Sequence, residues 1–393
     1  MNNDPVVIVA AKRTPIGAFQ GVLASATAPE LGTAAIAGAI ADSGVDAADV
    51  DQVLMGCVLP AGLGQAPARQ AAIGAKLPMS AAAMTINKMC GSAMATIMLG
   101  HDLLKAGSAS VIVAGGLESM SNAPYLLPKA RKGYRMGHQE VIDHMFYDGL
   151  QDPWQGMMMG QFADATAEKY GFSREQQDEF AIESVRRAQA AVAAGTFAAE
   201  IAAVTIQNRK GDVVVSSDET PGTVSIEKIP GLRPAFNKDG TVTAATSSSI
   251  SDGAAATVLM TASEAERRGL EPIATIAGHS SFAQEPAWFT TAPVSAIKNL
   301  QSKLGWKPDD VDLYEINEAF AVVTMAAMHD VGLEHGKVNV NGGACALGHP
   351  IGATGARITT TLLYALKERG LKRGIASLCI GGGEAVAIGV ELV

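Results

Sequence analysis

Cysteine, basic charge and long apolar runs are all scarce in this sequence of 393 residues. The four cysteines form no Cys-x-x-Cys pair, so we expect no metal site. Their wide spacing favours a reducing, cytoplasmic setting, although a disulfide remains an alternative. The net charge of −9 argues against a nucleic-acid partner. No run is long and apolar enough to span a bilayer, so we expect no membrane partner. The N-terminus leads directly into an apolar strand, and we expect neither a signal peptide nor an Arg-rich presequence.

The residues that are plentiful indicate a large folded core. Hydrophobic residues make up 48% of the chain and charged residues 18%, which excludes a disordered protein. The length suits two or three domains. Predicted strands at 6–10, 50–58 and 111–118 alternate with predicted helices at 34–43 and 91–104. This alternation is typical of a mainly parallel sheet covered by helices.

A weak internal repeat divides the chain. Residues 49–54 resemble residues 310–315, at an offset of 261, and residues 114–118 resemble residues 380–384, at an offset of 266. Both matches are predicted to be strands, and the second pair is predicted to run into a glycine turn. The nearly equal offsets indicate two copies of one α/β unit, with coincidence as the alternative.

The region from about 120 to 245 differs from the flanking sequence in its residue pattern and is predicted to be an inserted domain. Its basic loop, residues 129–135, indicates phosphate binding. The alternative is a structural role, as a solvated face or a subunit contact. Its methionine cluster, residues 157–159, indicates either core packing or a pliable wall for an acyl chain. A helix is predicted after Ser173, because Gln176 three residues later completes a capping box.

Residues 85–94 are the stretch around which the chain is organised. Small and β-compatible residues precede Cys90, and a helical pattern follows it, so Cys90 is predicted at a strand-to-helix corner. Backbone N–H groups and the helix dipole are expected to favour a thiolate there, with Lys88 as an added positive charge. The alternative is a buried cysteine used as a small apolar residue.

Four further stretches carry polar groups where strands are predicted to end. Asn317 follows one strand, His349 lies in a glycine-rich loop, and Cys379 ends another strand at a triple-glycine turn. A run of hydroxyl residues at 244–256 is predicted to bond an amide-bearing ligand. The structural alternatives are a helix cap, a satisfied core histidine, a packed cysteine and a Ser-rich turn.

Together these residues indicate carbon–carbon bond chemistry on a thioester. Cys90 is the candidate nucleophile, His349 its base, and Asn317 and glycine N–H groups the anion stabilisers. Acyl transfer needs only those groups. The additional candidate acid/base, Cys379, is what a step that moves a proton next to a carbonyl requires.

The chain resembles the thiolase family over essentially its full length. The matching motifs are Asn87-Lys-Met-Cys-Gly-Ser, Asn317-Glu-Ala-Phe, Gly342-Gly-Ala-Cys-Ala-Leu-Gly-His-Pro-Ile-Gly and Cys379-Ile-Gly-Gly-Gly. They occur in the family's order, which makes the combined signal specific.

The resemblance implies catalytic roles for matching positions. Cys90 would carry the acyl group, His349 would activate Cys90, and Cys379 would exchange the α-proton. Asn317 would hold a water that forms one oxyanion hole with His349. The N–H groups of Cys90 and Gly381 would form the other.

Substrate contacts are also implied. Ser248 matches a serine that contacts the pantetheine arm of coenzyme A. The apolar positions expected to contact substrate are Phe236, Phe320, Met158, Met159 and Phe289.

The sequence departs from the family pattern at several of these positions. Residues 245–249 read Ala-Thr-Ser-Ser-Ser in place of Gly-Asn-Ala-Ser-Gly. Met158 replaces a histidine, Phe289 replaces a methionine, and Glu384-Ala385 replaces Gln-Gly. None removes a catalytic group, but all alter coenzyme A contacts or the room for the acyl chain.

The implied fold is α/β, with two repeated βαβαβαββ halves layered α/β/α/β/α and an inserted loop domain. The expected divisions are 1–119 plus 246–272, 120–245 and 273–393. The implied enzyme is an acetyl-CoA C-acetyltransferase, with a broader-chain 3-ketoacyl-CoA thiolase as the alternative. Coenzyme A is expected as substrate rather than as a resident cofactor, and the assembly as a homotetramer. A ketoacyl synthase would lack Cys379, and a non-catalytic relative would lack Cys90 or His349.

Overall fold

The computed structural model describes residues 4–393. Its strands are β1 (Val6–Arg13), β2 (Gly17–Ala18), β3 (Gln52–Gly56), β4 (Ala82–Ile86), β5 (Ile112–Ser119), β6 (Tyr125–Leu126), β7 (Ile142–Asp143), β8 (Val204–Ile206), β9 (Val213–Val215), β10 (Ser251–Thr261), β11 (Ala274–Ala283), β12 (Leu313–Ile316), β13 (Arg373–Ile380) and β14 (Glu384–Leu392). Its α-helices are α1 (Ala28–Ser43), α2 (Pro67–Gly74), α3 (Ser92–Lys105), α4 (Met159–Tyr170), α5 (Arg174–Ala194), α6 (Ala262–Arg268), α7 (Ala292–Leu304), α8 (Ala321–Val331), α9 (Ala344–Leu347) and α10 (Thr354–Arg369).

One sheet runs through the molecule and has a mirrored strand order. The order is β12-β13-β14-β11-β1-β10-β5-β3-β4, with β2 paired to β10. Strands β1 and β11 meet antiparallel at the centre, where Val7 pairs with Thr275. Outward from this junction, β10, β5 and β3 on one side correspond to β14, β13 and β12 on the other. This correspondence confirms the predicted repeat of one α/β unit. The match of residues 114–118 with residues 380–384 is wrong, because the first segment lies inside β5 and the second spans the turn after β13.

The helices form three layers around the two halves of the sheet. Helices α1 and α2 pack on the outer face of the N-terminal strands, and α7 packs on the outer face of β11 and β14 with α8 beside it. Helices α3 and α10 contact each other and strands of both halves. The result is the predicted α/β/α/β/α arrangement.

The two central helices approach very closely at Gly355, in the first turn of α10. A Cβ added there would lie 2.7 Å from the Cβ of Met94 and 2.9 Å from its Cα, so no larger residue fits. Because Cys90 precedes α3 and His349 precedes α10, this contact sets the separation of the two loops that carry them.

The structure corrects two expectations about the sheet. Most strand pairings are antiparallel, and only β3 with β4, β3 with β5, and β12 with β13 are parallel, so the prediction of a mainly parallel sheet was wrong. Strand β10 runs antiparallel to both of its neighbours, β1 and β5, and β14 runs antiparallel to both of its neighbours, β11 and β13. The glycine turn predicted at 114–118 is also wrong, since Gly115 and Gly116 lie inside β5.

Other local predictions are confirmed. Helix α5 begins after Ser173, whose hydroxyl accepts from the backbone N–H of Gln176, while the Gln176 side chain accepts from the N–H of Ser173. Across residues 4–393, no helix has both the length and the apolar character needed to cross a membrane.

Candidate active site

Cys90 lies at the corner between β4 and α3, as predicted. The backbone of Met89, just before it, has a φ of 47°, a conformation that non-glycine residues rarely adopt. The hydroxyl of Ser92 accepts from the N–H of Lys88 (2.8 Å) and donates to the carbonyl of Met89 (2.6 Å). The Asn87 side chain accepts from the N–H of Met89 (2.9 Å). These bonds hold a strained turn that presents the thiol.

The prediction of a lowered pKa at Cys90 is wrong. Burial raises the pKa of the thiol to about 11, and the charge of Glu118 adds to the rise, although the N–H groups of Gly381 and Cys90 oppose it. Lys88 does not offset the burial, since its ammonium forms an ion pair with Glu384. Cys90 therefore rests as a thiol and requires a base to react.

His349 has the protonation state of such a base. Burial, followed by the charge of Arg357, lowers the pKa of its imidazole to about 3, so the ring is neutral at physiological pH. The hydroxyl of Thr354 donates to the carbonyl of Pro350 (2.9 Å) and lies 2.6 Å from Nδ1. Because that hydroxyl has only one proton, Nδ1 is the donor and Nε2 carries the lone pair.

The acceptor atom of His349 is left open. Among the described residues, Nε2 is buried and has no hydrogen-bond partner. The same holds for both polar atoms of the Asn317 side chain, which follows β12 and is 1% exposed. Buried polar atoms without partners are rare and mark places where a ligand or water is bound.

A cavity of about 200 Å³ is lined by both Cys90 and His349. All the predicted site residues line it except Asn317 and Cys379. The lining residues predicted from the sequence are Cys90, His349, Gly381, Ser248, Phe236, Phe320, Met158, Met159 and Phe289. The sequence therefore identified most of the wall, and the shape of the cavity follows from its aromatic part.

Three phenylalanines form that aromatic part. The ring centroids of Phe236 and Phe320 lie 5.9 Å apart, and those of Phe289 and Phe320 lie 6.5 Å apart, both edge to face. Edge-to-face rings pack rigidly. The phenylalanine at 289 is thus part of the wall that limits the size of the cavity.

Cys379 and Asn317 do not line the cavity. Cys379 is the penultimate residue of β13, is fully buried, and packs in the same apolar cluster as Phe289 and Phe320. Burial raises the pKa of its thiol, and the nearby Cys90 raises it further. Asn317 lies two residues before Ala319, which lines the cavity.

Two residues of the hydroxyl run reach the cavity. Ser247 and Ser248 line the cavity, but the hydroxyl of Ser248 donates to the carbonyl of Ala319 (3.0 Å) and that of Ser247 to the carbonyl of Thr243 (2.7 Å). Their protons are already used, so these hydroxyls meet a ligand as acceptors.

Several wall residues were missed by the sequence analysis. Phe146, Gly149 and Leu150 come from a π-helical segment, Met145–Leu150, which no motif or periodicity in the sequence indicated. The basic loop at 129–135 is exposed and does not line the cavity.

Glu118 was also missed, although it braces the site. Its buried carboxylate accepts from the N–H groups of Val58 (2.9 Å), Leu59 (3.1 Å) and Gly352 (2.8 Å). Burial raises its pKa to about 7. The bond to Gly352 fixes the loop that carries His349.

Glu318 is a second buried carboxylate that joins distant segments of the chain. It accepts from the hydroxyl of Ser184 (2.7 Å), the amide of Asn339 (2.8 Å) and the N–H of Cys345 (3.0 Å). Cys345 is buried outside the cavity, which agrees with its interpretation as a packed residue.

Known proteins are similar to this chain over nearly its whole length. The family sequence models described as "Thiolase, N-terminal domain" and "Thiolase, C-terminal domain" match residues 6–263 and 270–392. A Pseudomonas aeruginosa protein named acetyl-CoA acetyltransferase is 50% identical over 386 residues, 98% of each chain. A Cupriavidus necator protein of the same name is 50% identical over 388 residues, 98% of this chain and 99% of the relative. The crystal structure of the Bacillus anthracis acetyl-CoA acetyltransferase superposes with a TM-score of 0.97 at 42% identity, covering 99% of both chains.

Proposed function

Because this chain belongs to the thiolase family, we propose that it is an acetyl-CoA C-acetyltransferase, which condenses two acetyl-CoA to acetoacetyl-CoA and coenzyme A, and runs in reverse by thiolysis. The names of its relatives support this activity. The observation that carries the proposal is that the Cys90 thiol and the unpaired Nε2 of His349 share one small cavity.

The first half-reaction forms an acetyl-enzyme. His349 Nε2 removes the proton from the Cys90 thiol, and the thiolate attacks the thioester carbonyl of acetyl-CoA. The oxyanion is stabilised by the N–H groups of Cys90 and Gly381, the same groups that lower the pKa of the Cys90 sulfur and therefore point toward it. Coenzyme A leaves as a thiolate and takes the proton of Cys379.

The second half-reaction forms the carbon–carbon bond. The Cys379 thiolate removes an α-proton from a second acetyl-CoA, and His349 with a water held by Asn317 stabilises the enolate oxygen. The carbanion attacks the acetyl group on Cys90, and the Cys90 sulfur leaves and regains its proton from His349. Both thiols and the neutral imidazole are restored, which agrees with the raised pKa values of both cysteines.

The acyl chain is proposed to lie against the phenylalanine wall. Ser248, Met158 and Met159 also line the cavity, which supports the proposal that the pantetheine arm passes along them. Residues 120–245 are the proposed loop domain, between the halves 1–119 with 246–272 and 273–393. A reducing cytoplasm is the proposed location, since the chemistry needs both cysteines as thiols.

Chain length provides the sharpest test of this function. We expect purified protein to cleave acetoacetyl-CoA with coenzyme A faster than 3-ketoacyl-CoA of six or more carbons, measured as loss of the 3-ketoacyl absorbance. Phe289→Ala removes a ring from the wall, so the ratio of eight-carbon to four-carbon kcat/KM should rise by about tenfold or more, as for pockets discriminating single methylenes.

Phe172→Ala is the matched control, because Phe172 packs on the same apolar cluster without lining the cavity. Its chain-length ratio should equal that of the wild type. Equal wild-type rates on four and eight carbons would contradict short-chain specificity. Absence of thiolysis on every substrate would contradict the chemistry itself.

A homotetramer built from two dimers is the proposed assembly. Strand β4 is the last in the sheet order, pairs with β3, and leaves Met84 49% exposed. Exposed apolar edge strands favour pairing with another chain. We propose that two copies pair along β4.

Met84→Lys places a charge in this proposed contact, so we expect the molar mass from light scattering to fall below that of four 40.4-kDa chains. Val214→Lys, at an exposed position on the short strand β9, should keep the tetramer. A monomeric wild type, or an unchanged mass for Met84→Lys, would refute the proposed contact.

A further inference from the structure

Two histidines and one aspartate converge at a place remote from the catalytic cavity. His101 and Asp102 lie near the end of α3, and His279 lies on β11. None of the three lines the cavity. We propose that His101, Asp102 and His279 form a binding site for a divalent cation of the Zn²⁺ type.

The carboxylate is the meeting point of the cluster. One oxygen of Asp102, Oδ1, lies 2.8 Å from Nδ1 of His101 and 3.0 Å from Nε2 of His279. The candidate ligand atoms of the three residues all lie within 4.8 Å of one another, and no other such group exists among the described residues. Two nitrogens and one oxygen thus already face a common point.

These distances need only a small change to accept a metal. A tetrahedral Zn²⁺ with ordinary bond lengths separates its ligand atoms by about 3.4 Å. The carboxylate of Asp102 is 59% exposed, whereas the two imidazoles are 14% and 15% exposed. The rings lie edge to face with centroids 5.1 Å apart. The exposed side leaves room for water as a further ligand.

The donor set and its surroundings select the kind of cation. Two imidazoles with one carboxylate suit Zn²⁺, Co²⁺ or Ni²⁺, whereas Mg²⁺ and Ca²⁺ prefer oxygen ligands. Lys105 follows about one turn further along α3 and brings a positive charge near the cluster. The ammonium of Lys303 donates to the carbonyl of His279 (3.2 Å). These positive charges weaken the electrostatic attraction of the site for any cation. The coordinate bonds from the two imidazoles are therefore the main contribution to cation binding.

The ligands come from both parts of the chain. Helix α3 lies in the region matched by the N-terminal family model, and β11 lies in the region matched by the C-terminal one. A bound cation would therefore link the two halves. Since such a cation binds only the folded arrangement, it raises thermal stability.

Titration of the full-length protein, after chelator treatment, with Zn²⁺ in a calorimeter tests the proposal. We expect one Zn²⁺ per chain at this site, and a higher Tm in its presence. Co²⁺ in place of Zn²⁺ should give the visible bands of a nitrogen–oxygen site without the intense thiolate-to-metal absorption, which separates this site from binding at Cys90 or Cys379.

His101→Gln and His279→Gln should each weaken Zn²⁺ binding by at least about tenfold, the lower end of what even a residue supporting a metal ligand contributes. Glutamine keeps a donor for Asp102, so Tm without metal should stay near that of the wild type. His329→Gln is the control, because His329 Nδ1 also lies 2.8 Å from the adjacent Asp330 but belongs to no such group. Its affinity should be unchanged. Absence of Zn²⁺ binding by the wild type, or equal affinity in His279→Gln, would overturn the proposal.

Discussion

Cys90→Ala is expected to lower kcat for thiolysis of acetoacetyl-CoA by on the order of 10⁴ to 10⁶, as for removal of the nucleophile in other acyl-transfer enzymes. The loss has a direct cause: without the sulfur, no acetyl-enzyme forms, and neither half-reaction proceeds. Because the side chain is small and lies at a cavity, the fold should tolerate alanine. Steady-state rates, together with mass spectrometry of protein incubated with acetyl-CoA, measure both consequences.

Two other cysteines provide the comparison. Cys345→Ala should retain acetylation and turnover, since Cys345 packs outside the cavity. Cys379→Ser should still acquire an acetyl group on Cys90 but should lose condensation, because the hydroxyl is too weak an acid and base to move the α-proton. Full turnover by Cys90→Ala would remove the proposed mechanism. A loss in Cys345→Ala equal to that in Cys90→Ala would show that the effect is structural.

His349→Gln is expected to lower kcat/KM by about 10² to 10⁴ at neutral pH, the usual contribution of a general base. The sign of its pH dependence follows from two pKa values. In the wild type, His349 has a pKa of about 3 and stays competent down to that pH. In the variant, the reaction depends on spontaneous ionisation of Cys90, whose pKa is about 11.

The variant's rate should therefore rise by about tenfold per pH unit from pH 7 toward 10, while the wild-type rate rises far less. A pH series of kcat/KM on both proteins measures this difference. His335→Gln, a partly buried histidine stacked on Phe180, is the control and should follow the wild-type profile. Parallel profiles for wild type and His349→Gln would mean that His349 is not the base that activates Cys90.

The local order of the chain was predictable because short-range signals determine it. The Ser173 capping box, the strand ending at Asn317 and the corner at Cys90 all arise from residues within a few positions of one another. Some cavity residues, such as Cys90 and His349, were named because they lie in thiolase motifs, and others, such as Phe236 and Phe289, because they match family positions outside those motifs. Phe146 and Leu150 belong to no motif, so nothing in the sequence placed them there.

The features that sequence reasoning missed depend on distant contacts. Strand β5 pairs antiparallel with β10, more than 130 residues later, and alternation of apolar residues does not reveal strand direction. The pKa of Cys90 depends on how deeply other segments bury it. The carboxylate of Glu118 reaches Gly352, 234 residues away, and gave no local signal of that role.

The contact at Gly355 has a consequence for how such a protein changes over time. Where α3 crosses α10, not even one methyl group fits, and a displacement of about 1 Å between reacting groups already costs about 10²-fold in rate. Substitutions at the junction of the two helices are therefore not tolerated during evolution. Substitutions on the aromatic side of the cavity are tolerated more readily. New substrate ranges would arise at residues such as Phe289, with the spacing of sulfur and imidazole inherited unaltered.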